Sequence, residues 1–116
     1  MNEKVLLIDD HTLFRAGLED LLTRRGIRVV AAVGSGEEGL AAAVKHDPDI
    51  VLLDMRMPLM DGLSVLRQLR KNHPNLRVAM LTTSSNESDL VEALRSGARG
   101  YLLKDIEPDE LVVALR

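Results

Sequence analysis

The sequence predicts an α/β fold, a doubly wound five-stranded parallel sheet, from three features of its patterning. Five short apolar runs, residues 5–8, 29–33, 50–53, 78–81 and 101–103, are each too short for a helix and rich in Val, Ile and Leu, as strands buried on both faces are. The segments between them carry helical spacing. Strand and helix alternate five times, and parallel strands need a helix-length crossover to return to the same end of a sheet.

Each element has its own signals. The first run, Val5-Leu6-Leu7-Ile8, ends in Asp9-Asp10, and Thr12 stands closest to the start of helix 1, which Gly26 should stop. After the second run, Ser35 with Glu38 forms a capping box for helix 2, and His46-Asp47-Pro48 ends it, because proline disfavours helical geometry in the residue before it. The third run leads into Asp54 and then Met55-Arg56-Met57-Pro58, where the proline ends the strand and forces a loop. Helix 3 follows on the spacing of Leu63, Leu66, Leu69 and Arg70. The fourth run ends in Thr82-Thr83, Ser84 with Glu87 caps helix 4, Leu90, Ala93 and Leu94 form its stripe, and Gly97 stops it. Lys104 closes the fifth run, and Pro108 suits the first turn of helix 5. Arg116 falls only a few residues into that helix, so the chain reads as a single domain, 1–116, cut from something longer.

Composition narrows the function. At 116 residues and 46% hydrophobic there is material for one core, and with a single Phe, a single Tyr and no Trp that core is aliphatic. A net charge of -3 gives no excess positive charge to hold a polyanion, which argues against direct nucleic-acid binding by this segment. The absence of cysteine removes disulfides and thiolate metal sites. No signal-peptide pattern precedes the first run and no apolar stretch approaches membrane-spanning length, so a soluble cytoplasmic chain is expected.

In an open parallel sheet the C-terminal strand ends form the ligand crevice. Four strand ends bring Asp9, Asp10, Asp54, Thr82 and Lys104 to that rim. Gathered carboxylates repel one another unless a cation compensates them, and a set read as containing no His or Cys suits magnesium, with manganese as the substitute. Lys104 can offset part of the charge and meet an incoming phosphoryl oxygen, and Thr82 can donate its hydroxyl to another. Taken singly these residues have plainer readings: a strand-end Asp is often a cap or turn former, and a lone lysine a solvated one.

Val5-Leu6-Leu7-Ile8-Asp9-Asp10-His11, Asp54-Met55-Arg56-Met57-Pro58 with Asp61-Gly62, and Gly100-Tyr101-Leu102-Leu103-Lys104 together resemble the receiver domains of two-component response regulators over the whole chain. The wording Gly97-Ala98-Arg99-Gly100-Tyr101-Leu102-Leu103-Lys104-Asp105 is most similar to the NarL/FixJ branch, whose members usually carry a LuxR-type helix-turn-helix output domain. The resemblance implies a flavodoxin-like (CheY-like) fold with strand order 2-1-3-4-5. It implies Asp54 as the phosphoacceptor, Asp10 and Asp54 as direct magnesium ligands, Asp9 acting through a water, and the backbone carbonyl of Arg56 as a further ligand. Thr82 and Lys104 would hold phosphoryl oxygens, and Thr82 with Tyr101 would form the switch.

A histidine kinase as phosphoryl donor, homodimerisation on activation, and DNA contact only through an output domain outside this chain follow from the same resemblance. Three positions depart from the commoner pattern. Asp105 stands where many receivers have a cis proline, and Thr83 is bulkier than the usual neighbour of the switch hydroxyl, while Arg56 puts a long cation near the pocket. The competing readings are a degenerate receiver acting as an interaction module, an aspartyl-phosphate phosphatase, disfavoured by the lack of a lid or second acid, and a nucleotide or flavin module, disfavoured by Asp9-Asp10-His11-Thr12 where glycines would be needed.

Overall fold

A computed structural model describes residues 3–83 and 86–115. Strands β1 (Lys4–Ile8), β2 (Arg28–Val33), β3 (Ile50–Asp54), β4 (Arg77–Thr82) and β5 (Gly100–Leu103) alternate with helices α1 (Thr12–Arg24), α2 (Gly36–His46), α3 (Gly62–Asn72), α4 (Glu87–Arg95) and α5 (Pro108–Leu115). The strands form one parallel sheet in the order β2-β1-β3-β4-β5, the order the resemblance implies. Each predicted run lies inside a strand, with edges gained at Lys4, Arg28, Asp54, Arg77, Thr82 and Gly100.

The period-two alternation of β structure sorts the apolar residues between two layers. Leu6, Ile8, Val51, Leu53, Val78 and Met80 face one side, with Ala42, Ala43, Val65, Leu66, Leu69 and Ala93 of α2, α3 and α4. Val5, Leu7, Ile50, Leu52 and Leu81 face the other, with Leu18 and Leu22 of α1 and Leu111, Val112 and Leu115 of α5. Cutting a side chain as fully buried as Leu52 to alanine should cost about 2–5 kcal/mol.

The helix ends show how far local signals reach. At α2, Ser35 Oγ accepts the Glu38 N–H at 3.1 Å and its hydroxyl reaches Glu38 Oε1 at 3.0 Å, while Asp47 takes a left-handed φ of 46° before Pro48. Gly26 and Gly97 follow α1 and α4 with φ of 79° and 101°. Thr12 is the first residue of α1 and His11 its cap, with no side-chain capping bond. The predicted Ser84 cap lies outside the described residues; the cap seen on α4 is Asn86, whose Oδ1 accepts the Ser88 N–H at 2.8 Å. The Lys104–Asp105 peptide is trans, as are all the described peptides.

Candidate functional site

The functional rim is built on backbone continuity at the strand ends. Asp9 N donates to Val33 O at 3.0 Å, Met55 N to Leu81 O at 2.9 Å and Lys104 N to Thr82 O at 2.8 Å, so sheet pairing continues into the residues just past β1, β3 and β5. Asp54 pairs in register with Leu81, which sets Thr82 one residue further along the neighbouring strand. Behind Asp54, Gly62 N donates to Met55 O at 3.0 Å and closes the β3–α3 loop. A Cβ on Gly62 would lie 2.8 Å from Met55 Cα and also strike the Asp54 carbonyl, so the start of α3 can seat here only with no side chain.

Asp9, Asp54 and Thr82 are buried, whereas Asp10 is partly open. Asp9 Oδ1 accepts the His11 N–H at 2.8 Å, and the Asp9 carbonyl accepts from Arg15 Nη1 at 2.6 Å. Lys104 is not a solvated surface lysine: its side chain is 8% exposed. Its ammonium lies 2.8 Å from Asp9 Oδ2 and 3.4 Å from Asp54 Oδ1, and 4.7 Å over the Phe14 ring. Two carboxylates thus share one ammonium, with Asp10 as a third beside them. Burial above all, then the charge of Asp9 and the adjoining Asp10 carboxyl, pushes the Asp54 carboxyl up from 3.8 to about 6 against the opposing pull of Lys104 and the Arg56 N–H.

The donor set fits a hard divalent cation. Asp10 Oδ1 and Asp54 Oδ2 are buried oxygens without a hydrogen-bond donor, and two negative charges remain after Lys104 is counted. One sequence-based reading needs correction. The cluster was expected to contain no histidine, yet oxygens of Asp9, Asp10 and Asp54 and a ring nitrogen of His11 lie within 4.8 Å of one another. The physical reason is the turn after β1: the bond from His11 N–H to Asp9 Oδ1 folds the backbone so that the His11 ring reaches back over the carboxylates.

Arg56 is directed away from the pocket, its Nη2 paired with Asp89 Oδ2 of α4 at 2.6 Å. Thr83 is exposed, and a recess lined by Thr82, Thr83, Leu103, Lys104 and Asp105 opens beside the carboxylates. Tyr101 is half-buried and packs against the layer that contains Ala93 of α4. His11 and Arg15 are the site residues for which sequence reasoning assigned no role.

Among the described residues no helix is long and apolar enough to cross a membrane. Residues 5–116 match the family model for the response regulator receiver domain. The chain is 45% identical over 112 residues to the nitrate/nitrite response regulator protein NarL of Escherichia coli (strain K12), a match covering 96% of this chain and 52% of that protein, so it spans about half that relative's length. The signal receiver domain of NarL from Mycobacterium tuberculosis superposes with a TM-score of 0.92 at 37% identity, over 97% of this chain and 92% of that one. The CheX–CheY–BeF3–Mg complex of Borrelia burgdorferi superposes with a TM-score of 0.92 at 27% identity, over 97% of this chain and 86% of that one. The chain belongs to the response regulator receiver domain family of two-component signalling, among its NarL-type members.

Proposed function

We propose that Asp54 accepts a phosphoryl group from the phosphohistidine of a histidine kinase, and that the resulting acyl phosphate switches the domain. The observation that carries the reading is Asp54 itself. It is a buried carboxylate with one oxygen drawn toward Lys104 and the Arg56 N–H, and the other, Oδ2, accepting no hydrogen bond. Receiver domains interact with histidine kinases, and the chain's family membership supports such a donor.

In this reading an Asp54 oxygen attacks phosphorus in line, the phosphorus–nitrogen bond of the donor breaks, and the donor imidazole leaves with that electron pair. Asp10, Asp54 and the Arg56 carbonyl, with Asp9 through a water, would hold magnesium, or manganese in its place, which offsets charge on the transferring oxygens. Lys104 already spans Asp9 and Asp54, so a short movement brings its ammonium onto a phosphoryl oxygen. Thr82 stands on the neighbouring strand beside an open recess, placed to follow the phosphoryl group with its hydroxyl. That movement draws the end of β4 inward and lets Tyr101 turn, changing the face formed by α4, β5 and α5. A few kcal/mol of preference for the switched arrangement is enough to change its population decisively.

The output belongs to the longer protein: dimerisation on activation and transcription control through a helix-turn-helix domain, in a cytoplasmic regulator whose receiver unit is residues 1–116. The chain is then a phosphoacceptor that assists its own phosphorylation rather than an enzyme with a soluble substrate.

The test is titration with magnesium and then beryllofluoride, following backbone amides in the wild type and in Asp54→Asn. Signals of Asp10, Asp54, Thr82, Tyr101 and Lys104 should move together, the beryllofluoride step should vanish in the variant, and light scattering should report a change in mass or shape. A spectrum unmoved by both reagents would overturn the phosphoacceptor reading.

A further inference from the structure

The His11 ring stands at the edge of the acidic cluster rather than beside it. Its Nδ1 lies 3.1 Å from Asp9 Oδ1, 3.6 Å from Asp10 Oδ1 and 3.6 Å from Asp54 Oδ2. It also lies 2.8 Å from Lys104 Nζ. Toward the ammonium Nδ1 can only accept and toward the Asp9 carboxylate it can only donate, so the ring has two tautomers here, and the one with its proton on Nε2 is the one that can bind a metal. In that tautomer a nitrogen lone pair faces a pocket in which Asp54 Oδ2, on a buried side chain, has no hydrogen-bond donor.

The spacing is that of ligands around one ion. Ligand atoms about 2.1 Å from a common centre sit about 3.0 Å apart at neighbouring corners of an octahedron and about 3.4 Å apart in a tetrahedron. The three separations from Nδ1, from 3.1 to 3.6 Å, span the tetrahedral value and lie just above the octahedral one.

We propose that His11 Nδ1 is a metal ligand that widens this pocket from hard cations to borderline divalent ions such as zinc and cobalt. The proposal rests on the reading of the acidic pocket as a cation site and adds to it the class of ion. Carboxylates alone favour magnesium, whereas an added imidazole raises affinity for ions later in the first transition row. Two features make the choice adjustable. His11 is a largely exposed side chain, so a hard ion can be held by the buried oxygens with the ring turned away. Lys104 occupies the same lone pair, so ammonium and metal compete for Nδ1, and a borderline ion frees Lys104 from its histidine contact.

The experiment is calorimetric titration of wild type and His11→Ala with magnesium chloride and, separately, zinc chloride, together with the ring-nitrogen spectrum of the wild type. Zinc affinity should fall in the variant by at least the roughly tenfold that losing even an outer partner of a ligand costs, while magnesium affinity stays within about twofold. The His11 Nδ1 resonance should move with zinc and hold its place with magnesium. Equal zinc affinity in the two proteins, or a His11 ring that zinc leaves unmoved, overturns the ligand assignment while magnesium binding keeps the cation pocket standing. Failure of both ions to bind the wild type overturns the pocket and the proposal together. The ring spectrum is read on the wild type, so it decides the matter even if the variant folds poorly.

Discussion

Replacing Asp54 with asparagine should stabilise the metal-free domain at neutral pH, and by more as the pH rises. Burial holds the folded carboxyl up at about 6 where its ordinary value is 3.8, so between those values the folded chain keeps a proton that the unfolded chain has released. A raised carboxyl of this kind contributes stability at low pH that is lost as the pH climbs through the folded value. At about 1.4 kcal/mol per pH unit, the loss reaches about 3 kcal/mol by pH 7.5 and is about 1 kcal/mol at pH 4.5. Asparagine has the shape of the protonated acid and no charge to bury, and Lys104 keeps its 2.8 Å partner Asp9 in the variant.

The assay is urea unfolding followed by circular dichroism, in chelator, for both proteins at both pH values. With an m-value of about 2 kcal/mol per molar urea, the variant's midpoint should exceed the wild type's by about 1.5 M at pH 7.5 and by about 0.5 M at pH 4.5. Magnesium should then raise the wild-type midpoint more than the variant's, because Asp54 is one of the proposed ligands. A variant less stable than wild type at pH 7.5, or a gap independent of pH, would show that Lys104 and the Arg56 N–H outweigh burial, and the electrostatic account of the site would fail.

Three further outcomes can be measured on purified protein. Gly62→Ala forces a Cβ against the Asp54–Met55 backbone, so it should destabilise by about 3 kcal/mol and blunt the beryllofluoride response; an unchanged unfolding midpoint would contradict the packing. Leu59 is fully exposed with φ of 70°, so Leu59→Gly should stabilise by about 1 kcal/mol despite the flexibility it adds, and a loss of stability would argue against a left-handed turn there. Asp89→Ala breaks the Arg56 pair, whose arginine is exposed, so stability should move by less than about 1 kcal/mol while amide exchange at the start of α4 quickens; unchanged exchange would mean the pair does not tie α4 to the β3–α3 loop.

The sheet was legible because its signals are local and repeated. Runs of Val, Leu and Ile, the Ser35–Glu38 pair and Gly97 each announce an element within a few residues. The rim was legible in part, because strand ends that lead into Asp9, Asp54 and Lys104 converge once the sheet is parallel. His11 was not, since nothing in its neighbours says that Lys104, 93 positions away, will meet its Nδ1. Arg15 was missed for a similar reason: its guanidinium serves a main-chain carbonyl, and backbone acceptors leave no mark on a sequence. Arg56 was placed near the pocket by proximity along the chain, and its departure toward Asp89 depends on where α4 lies.

The order of the strands also governs when the site can come into being during synthesis. Lys104 follows β5, which is the last strand along the chain and an edge strand of the sheet, whereas Asp54 ends the central strand β3 and Asp9 follows its neighbour β1. A ribosome-bound chain that has released only β1 to β4 therefore carries the acidic residues without their ammonium, and β5 can dock only after β4 offers its edge. On the proposed reading, the site is therefore incomplete until its final strand has emerged, and a half-made domain could not take up a phosphoryl group.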